Sequence, residues 1–321
     1  MFRRRHLLAA SAALPIARGA AAQSYPDRAL RVVVPFGPGG GTDNLMRVIE
    51  APTRAAFGQP LVIENRAGAG GTIGTDLVAR APADGYTVLA VDSSYAINPA
   101  LFPSLPYDPA KDLVPVSLLA SGPVILLAHP SLPVNTVQEL VAMAKAQPGA
   151  LNYASGGNGA STHLAGELLK MVAGIDLVHV PYRGTGPATT DVVAGHVKLM
   201  FNGISAARPH VDAGRLKPLA VTGAQRAAAL PNVPTFAESG LAAVEASTFW
   251  GVLAPAGTPQ AAIAKLSSSF RSGVTDPAVQ ERLRSLGFEP IGGDAAAYAE
   301  NLRSETTKWA EVVRRANVKL D

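Results

Sequence analysis

Cysteine is absent from all 321 residues, which excludes disulfides and thiolate metal sites in any compartment and leaves packing to hold the fold. Long hydrophobic runs are missing as well. The greasiest stretch, Leu7 to Ile16, contains Ser11 and Pro15 and is followed by Arg18, so it falls well short of the roughly 20 apolar residues of a membrane span. Nucleotide-binding fingerprints are lacking too. Gly37 and Gly39 would require glycine at 42, where Thr42 stands, and Gly68 and Gly70 would require it at 73, where Ile73 stands. Neither run is G-x-G-x-x-G, and no G-x-x-x-x-G-K-[ST] occurs.

Enzymatic signatures are equally thin. Ser155 follows Asn152-Tyr153-Ala154 and so lacks the first glycine of a nucleophile elbow. The histidines beyond the N-terminal segment, His129, His163, His179, His196 and His210, form no H-E-x-x-H pattern. His163 and Glu167 are one helical turn apart and could share a metal, but a hydrogen-bonded pair explains the spacing better. Asp43 could act as a catalytic carboxylate, yet helix capping accounts for it equally well. No metal, cofactor or catalytic residue is expected.

What is present begins with an export signal. Arg3, Arg4 and Arg5 precede the apolar run, and small residues ending Ala20-Ala21-Ala22 lead to Gln23, the basic, greasy and small parts that export machinery reads. Cleavage near Ala22-Gln23 and a periplasmic product are expected, by the Sec or, through Arg4-Arg5, the twin-arginine route. This leader holds four of the 28 basic residues and none of the 24 acidic ones, so the chain's formal charge of +4 belongs to the leader and the rest is neutral. A nucleic-acid partner, which needs a sustained basic face, is therefore not expected.

The remaining chain is long enough for two domains. Runs rich in β-branched residues at Leu30 to Pro35, Leu61 to Glu64, Tyr86 to Ala90, Val114 to Leu119, Val124 to Ala128, Leu177 to Pro181 and Val197 to Phe201 read as strands. Between them, 43–57, 72–80, 136–147, 161–172 and 188–194 read as helices, and after Phe249 to Pro255 the chain is mostly helical, at 259–273, 277–286 and 294–316. Alternation of this kind predicts an α/β protein with mainly parallel sheets covered by helices. Two places suit a crossing between lobes, Ala120-Ser121-Gly122-Pro123 and Ala246-Ser247-Thr248. The expected division is a leader over 1–22, a first lobe of 23–121 with 249–321, and a second lobe of 122–248, forming a clamshell around a cleft.

Four glycine-rich turns each join a strand to a helix: Pro35 to Asp43, Asn65 to Gly74, Ala154 to His163, and Pro181 to Pro187. Glycine lets backbone approach a ligand, and the N–H groups of a helix start attract an anion. In a doubly wound fold such turns lie where ligands bind. Arg66 and Arg183 sit beside two of them and could pair with a carboxylate or with surface acids.

The order of these motifs resembles the substrate-binding receptors of the tripartite tricarboxylate transporters, the Bug family. The resemblance rests on Tyr25-Pro26 with Leu30 to Phe36, Pro38 to Asp43, Glu64 to Gly71, Asp84-Gly85-Tyr86-Thr87, Ala96-Ile97-Asn98-Pro99, Asn152 to Gly157, Val180 to Gly184 with Pro187-Ala188, and Pro231 to Thr235. It implies a two-lobe periplasmic clamshell, type II-like, that delivers a small mono- or dicarboxylate to membrane transporter subunits, as a monomer and without catalysis. The ligand-binding residues it implies are Pro38, Gly39, Gly40, Thr42, Asp43, Ser94 and Asn98 in the first lobe. In the second they are Ser155, Asn158, Gly159, Ala160, Ser161, Tyr182 and Asn202. Two departures bear on the ligand: Ser94-Tyr95 replaces a Thr-His common in relatives, and Ala160 stands where serine is frequent. The same clamshell could signal to a membrane kinase, and a secreted enzyme using Asp43 or His163 is the reading from another class.

Overall fold

The computed structural model describes residues 25–223, 225–315 and 318; the leader expected over residues 1–22 lies outside them. Near-continuous apolar runs become the buried strands. In β1 (Leu30–Val34), Leu30, Val32, Val33 and Val34 are wholly buried, and β2 (Leu61–Asn65) and β3 (Thr87–Val91) flank it in parallel. A second parallel set has β5 (Asn152–Ser155) between β6 (Val178–Pro181) and β7 (Leu199–Gly203).

Two long strands join the sets. β4 (Leu113–Ala128) and β9 (Ser247–Pro255) run antiparallel to their neighbours, giving the order β2-β1-β3-β9-β4-β7-β5-β6. β8 (Lys217–Val221) and β10 (Glu289–Gly293) pair with β4 off this path. The sheet is therefore mixed, parallel at both flanks and antiparallel at the centre, because a chain that crosses between halves and returns must run both ways there.

The break expected at residues 120–123 is not a turn: β4 continues through it for 16 residues. Gly122 and Pro123 read locally as punctuation, but Thr248 and Ser247 of β9 pair with them. Gly122 has a further reason to be glycine, since a Cβ there would stand 2.9 Å from the Gly287 carbonyl and 3.2 Å from the Trp250 ring.

The helices are α1 (Gly41–Phe57), α2 (Thr72–Ala79), α3 (Ser94–Leu101), α4 (Val137–Ala146), α5 (Ser161–Ala173), α6 (Thr185–Val193), α7 (Ile204–Asp212), α8 (Gln260–Thr275), α9 (Pro277–Ser285) and α10 (Ala295–Arg315). α3 and α7 escape a reading of sequence period: each is only a little over two turns long, with an internal proline, Pro99 or Pro209. One apolar cluster packs α1 and α8 against β1, β3, β9 and the first half of β4. Two others cover the faces of β5, β7 and the second half of β4. Ile97 and Leu101 of α3, with Trp309 and Val313 of α10, pack into the second of these clusters, so the last helix braces both halves of the sheet. Trp309 is fully buried, and its indole N–H donates to Glu305 Oε2 at 2.7 Å.

Candidate functional site

The four glycine-rich turns meet in pairs. Gly37 N–H donates to the Arg183 carbonyl at 3.1 Å, and a Cβ on Gly186 would collide with the Pro38 carbonyl. The other pair is as close. A Cβ on Gly70 would collide with the Asn158 carbonyl and one on Gly159 with Asn98 Oδ1, and both glycines have positive φ, 63° and 80°. Glycine is required at these two positions by backbone angle and by contact together.

Between the turns lies a small cavity lined by Phe36, Gly40, Gly41, Thr42, Asp92, Gly156, Ala160, Ser161, Thr162, Thr185, Gly203, Thr248 and Trp250. Four helices start at its wall, α1 after Gly40, α5 after Ala160, α6 after Gly184 and α7 after Gly203, and none of them has a side-chain cap. α2, α3 and α8 also start without a side-chain cap, whereas α4 and α9 are capped. Thr136 Oγ1 accepts from Glu139 N–H at the start of α4, and Asp276 accepts from Ala278 and Val279 N–H at the start of α9. An uncapped start offers N–H donors and the positive end of the helix dipole, and four at one cavity make an anion site without a counter-charge. No Lys, Arg or His is among the described residues of the lining.

Comparison with known proteins places this geometry. Residues 45–318 match the model of the tripartite tricarboxylate transporter family receptor. The chain belongs to this receptor family. The periplasmic binding protein BugD superposes with a TM-score of 0.89 at 36% identity, covering 92% of this chain and 99% of BugD. A Rhodopseudomonas palustris protein solved with adipate gives 0.89 at 35% identity over 92% of this chain and all but 1% of its own. MatC from the same organism, solved with bound malate, gives 0.86 at 35% identity over 90% of this chain and 100% of MatC.

Of the residues expected to bind, Gly40, Thr42, Ala160 and Ser161 line the central cavity of this receptor. Thr42 Oγ1 accepts from Trp250 Nε1 at 3.2 Å, and Thr248 Oγ1 donates to Ser161 Oγ at 2.9 Å. Asn158 and Tyr182 line an adjoining cavity with Gly70 and Arg183, divided from the first by Phe36 and Gly156, which face both. The Tyr182 hydroxyl bonds to Asp191. Pro38 and Gly39 face outward, beside His210.

The others line neither of these inner cavities and act through the backbone. Asp43 is 2% exposed and fully engaged, accepting from Gly39 N–H, Arg47 and Asn65. Burial alone would raise its pKa, but those hydrogen bonds outweigh it and hold the carboxyl below the usual range. Asp43 therefore fixes the first turn. Asn98 Nδ2 donates to the Gly70 carbonyl at 3.1 Å, and Ser94 N–H donates to Asp92 Oδ1 at 2.9 Å. Asn202 joins Thr189 and Gly203. Arg66 pairs with Glu64.

Ser155 sits beneath the third turn, where its Oγ accepts from Gly157 N–H at 3.1 Å and bonds to His179 Nε2 at 2.6 Å. His163 stacks on His179 with centroids 4.0 Å apart, and its Nδ1 accepts from Gly159 N–H at 3.3 Å. Burial pushes His163 down to about 4 and, together with the neighbouring His163, His179 down to about 3. Glu167, the other half of the expected metal pair, accepts from the Tyr153 hydroxyl and from Lys170 instead.

The cavity residues that the sequence reading passed over are Phe36, Gly41, Asp92, Gly156, Thr162, Thr185, Gly203, Thr248 and Trp250. Phe36, Gly41, Gly156, Thr162 and Thr185 lie inside glycine-rich turns already singled out, and Thr248 inside a crossing, but none was named as a binding residue. Asp92 had one available signal, its place directly after a strand, where ligands gather in open α/β sheets.

Proposed function

We propose that this protein is an exported periplasmic receptor that captures a small carboxylate between two lobes and passes it to membrane subunits of a tripartite transporter. The observation that carries this reading is the meeting of four uncapped helix starts at a cavity without a basic side chain. Backbone N–H groups can hold an anion there because the dipoles are fixed and already oriented. The family membership and the adipate and malate seen in relatives support the same class of ligand. The cavity suits binding without catalysis: the paired Ser155 and His179 lie outside its wall.

The lobes we propose are 23–121 with 249–321, and 122–248, hinged where β4 and β9 pass side by side. Closure brings Gly37 to Arg183 and Asn98 to Gly159, so the hinge would open the cavity by separating those pairs. The leader over 1–22 supplies export and is removed. Thermal melts of the purified protein against carboxylates, neutral sugars and divalent metals test the reading. A carboxylate at a hundredfold excess over its Kd should stabilise the fold by about 2.7 kcal/mol. Stabilisation by a sugar or a metal, with none by any carboxylate, would refute it.

A further inference from the structure

His163 is buried in the first turn of α5 and lies outside the cavity wall. Its Nδ1 accepts the Gly159 N–H at 3.3 Å, and close by Ser155 Oγ accepts the Gly157 N–H at 3.1 Å. Both glycines have positive φ, 120° at Gly157 and 80° at Gly159, and these two hydrogen bonds hold the third turn in that shape. What rests on the turn lies across the cleft. Gly159 is packed against Asn98 Oδ1 and the Phe102 ring, and Asn98 Nδ2 donates in turn to the Gly70 carbonyl. The next residue is Ala160, where α5 starts uncapped at the cavity. A shift of Gly159 therefore disturbs both a contact that shuts the cleft and a helix start at the cavity wall.

A proton on Nδ1 removes the acceptor, because imidazolium donates from both ring nitrogens; two N–H groups would then face each other. The closed form opposes that proton. Burial and the charge of Lys170 on the same helix hold His163 down to about 4, and His179 of β6 is stacked on its ring at 4.0 Å. Glu167, one turn along α5, is engaged by Lys170 and by the Tyr153 hydroxyl of β5, whose phenol burial keeps protonated. β7 and α3 carry no charged residue.

We propose that His163 is a positioning residue for the binding site, and that the cleft closes on its ligand only while this imidazole is neutral. Protonation frees Gly159, the third turn withdraws from Asn98 and Gly70, and the ligand is released. This rests on the reading of a receptor whose cleft closes, and it adds a proton as the effector. With the turn withdrawn, His163 takes up its proton nearer the ordinary value of about 6.5. The open form thus binds more protons than the closed one, so affinity is full at neutral pH and falls as pH drops from that range towards 4.

Two measurements test this. In NMR spectra of the unaltered protein, the Gly159 amide should shift with the same midpoint as the His163 ring on acidification. Calorimetry then takes the tightest binder among succinate, glutarate, adipate and benzoate. Its Kd is measured at pH 7 and pH 4.5 in the parent and in His163→Asn, with circular dichroism checking that each stays folded. Asparagine keeps an acceptor near the Nδ1 position and does not titrate. Ionisation of the probe itself is common to both proteins, so the comparison isolates His163. Between the two pH values the parent should lose about tenfold more affinity than the variant, and at pH 7 the two should bind within about threefold of each other. Equal losses in both proteins, or a Gly159 amide that stays still while His163 titrates, would overturn the inference. Binding of none of the four acids would instead refute the carboxylate reading, and the amide titration would still decide whether His163 sets the turn.

Discussion

Gly40→Val separates closure from folding. Gly40 has φ −77° and ψ 174°, an extended conformation open to any residue, so the substitution introduces no backbone strain. A Cβ at this position would stand 3.0 Å from Thr185 Oγ1, across the cleft, and 3.6 Å from the Gly37 carbonyl. Valine adds two methyl groups to that crowded point, where they meet the opposite turn, and the proposed hinge opening would relieve the clash. Overpacking of this kind costs about 1–3 kcal/mol, and about 1.4 kcal/mol is a tenfold change in affinity. The expected result is a Kd raised by about 10- to 100-fold, with the melting temperature of the ligand-free protein nearly unchanged.

The contrasting substitution is Gly273→Val, in α8. A Cβ there would collide with the buried Thr53 side chain of α1 and approach the Ile49 carbonyl at 3.3 Å, a clash within one half of the sheet that no hinge motion relieves. It should cost about 2–3 kcal/mol, lowering the melting temperature by roughly 4–10 °C without changing Kd. Calorimetry and thermal melts on both variants decide the matter. A Gly40→Val protein that melts as low as Gly273→Val, or binds like the parent, would refute the reasoning.

Asp43→Ala removes the charged acceptor shared by Gly39, Arg47 and Asn65; it should destabilise the fold by about 2–3 kcal/mol, seen in urea melts, and weaken binding although Asp43 does not reach the cavity. Since its folded pKa is depressed, Asp43 contributes stability above the ordinary carboxylate range, and that stability is lost as pH falls through the lower folded value. His163 titrates with a different window. It stays neutral in the fold down to about 4, whereas the unfolded chain takes up its proton near pH 6.5, so stability should fall between those two values. The loss from His163 is on the order of 3 kcal/mol; His179, held lower still, loses stability over the same range, so His163→Gln should make the fall shallower, without abolishing it, in melts at pH 7, 5.5 and 4.5. Thr136→Ala removes the cap from Glu139 N–H and should cost about 1 kcal/mol, with no change in affinity.

The glycine-rich turns were legible because they are local: a strand, a few glycines and a helix start follow one another within ten residues. The same locality accounts for the helices with long apolar periods, such as α1, α8 and α10. Where the sequence reading divided β4 at Gly122-Pro123, it had no access to β9, whose Thr248 and Ser247 lie more than a hundred residues away and hold that segment extended. α7 was missed for a related reason, since it follows β7 without a loop and carries Pro209.

By itself the sequence determined the α/β class, the neutral charge beyond the leader, the receptor family and the turns that could bind an anion. Tertiary structure alone decided which of their residues face the ligand. A turn's amides, hydroxyls and carboxylates are fixed by local sequence, but their accessibility depends on what packs against them from distant strands. Asp43, prominent in the motif, is consumed by Arg47 and Asn65. Asp92, which belongs to no motif, is left facing a cavity between Phe36 and Trp250.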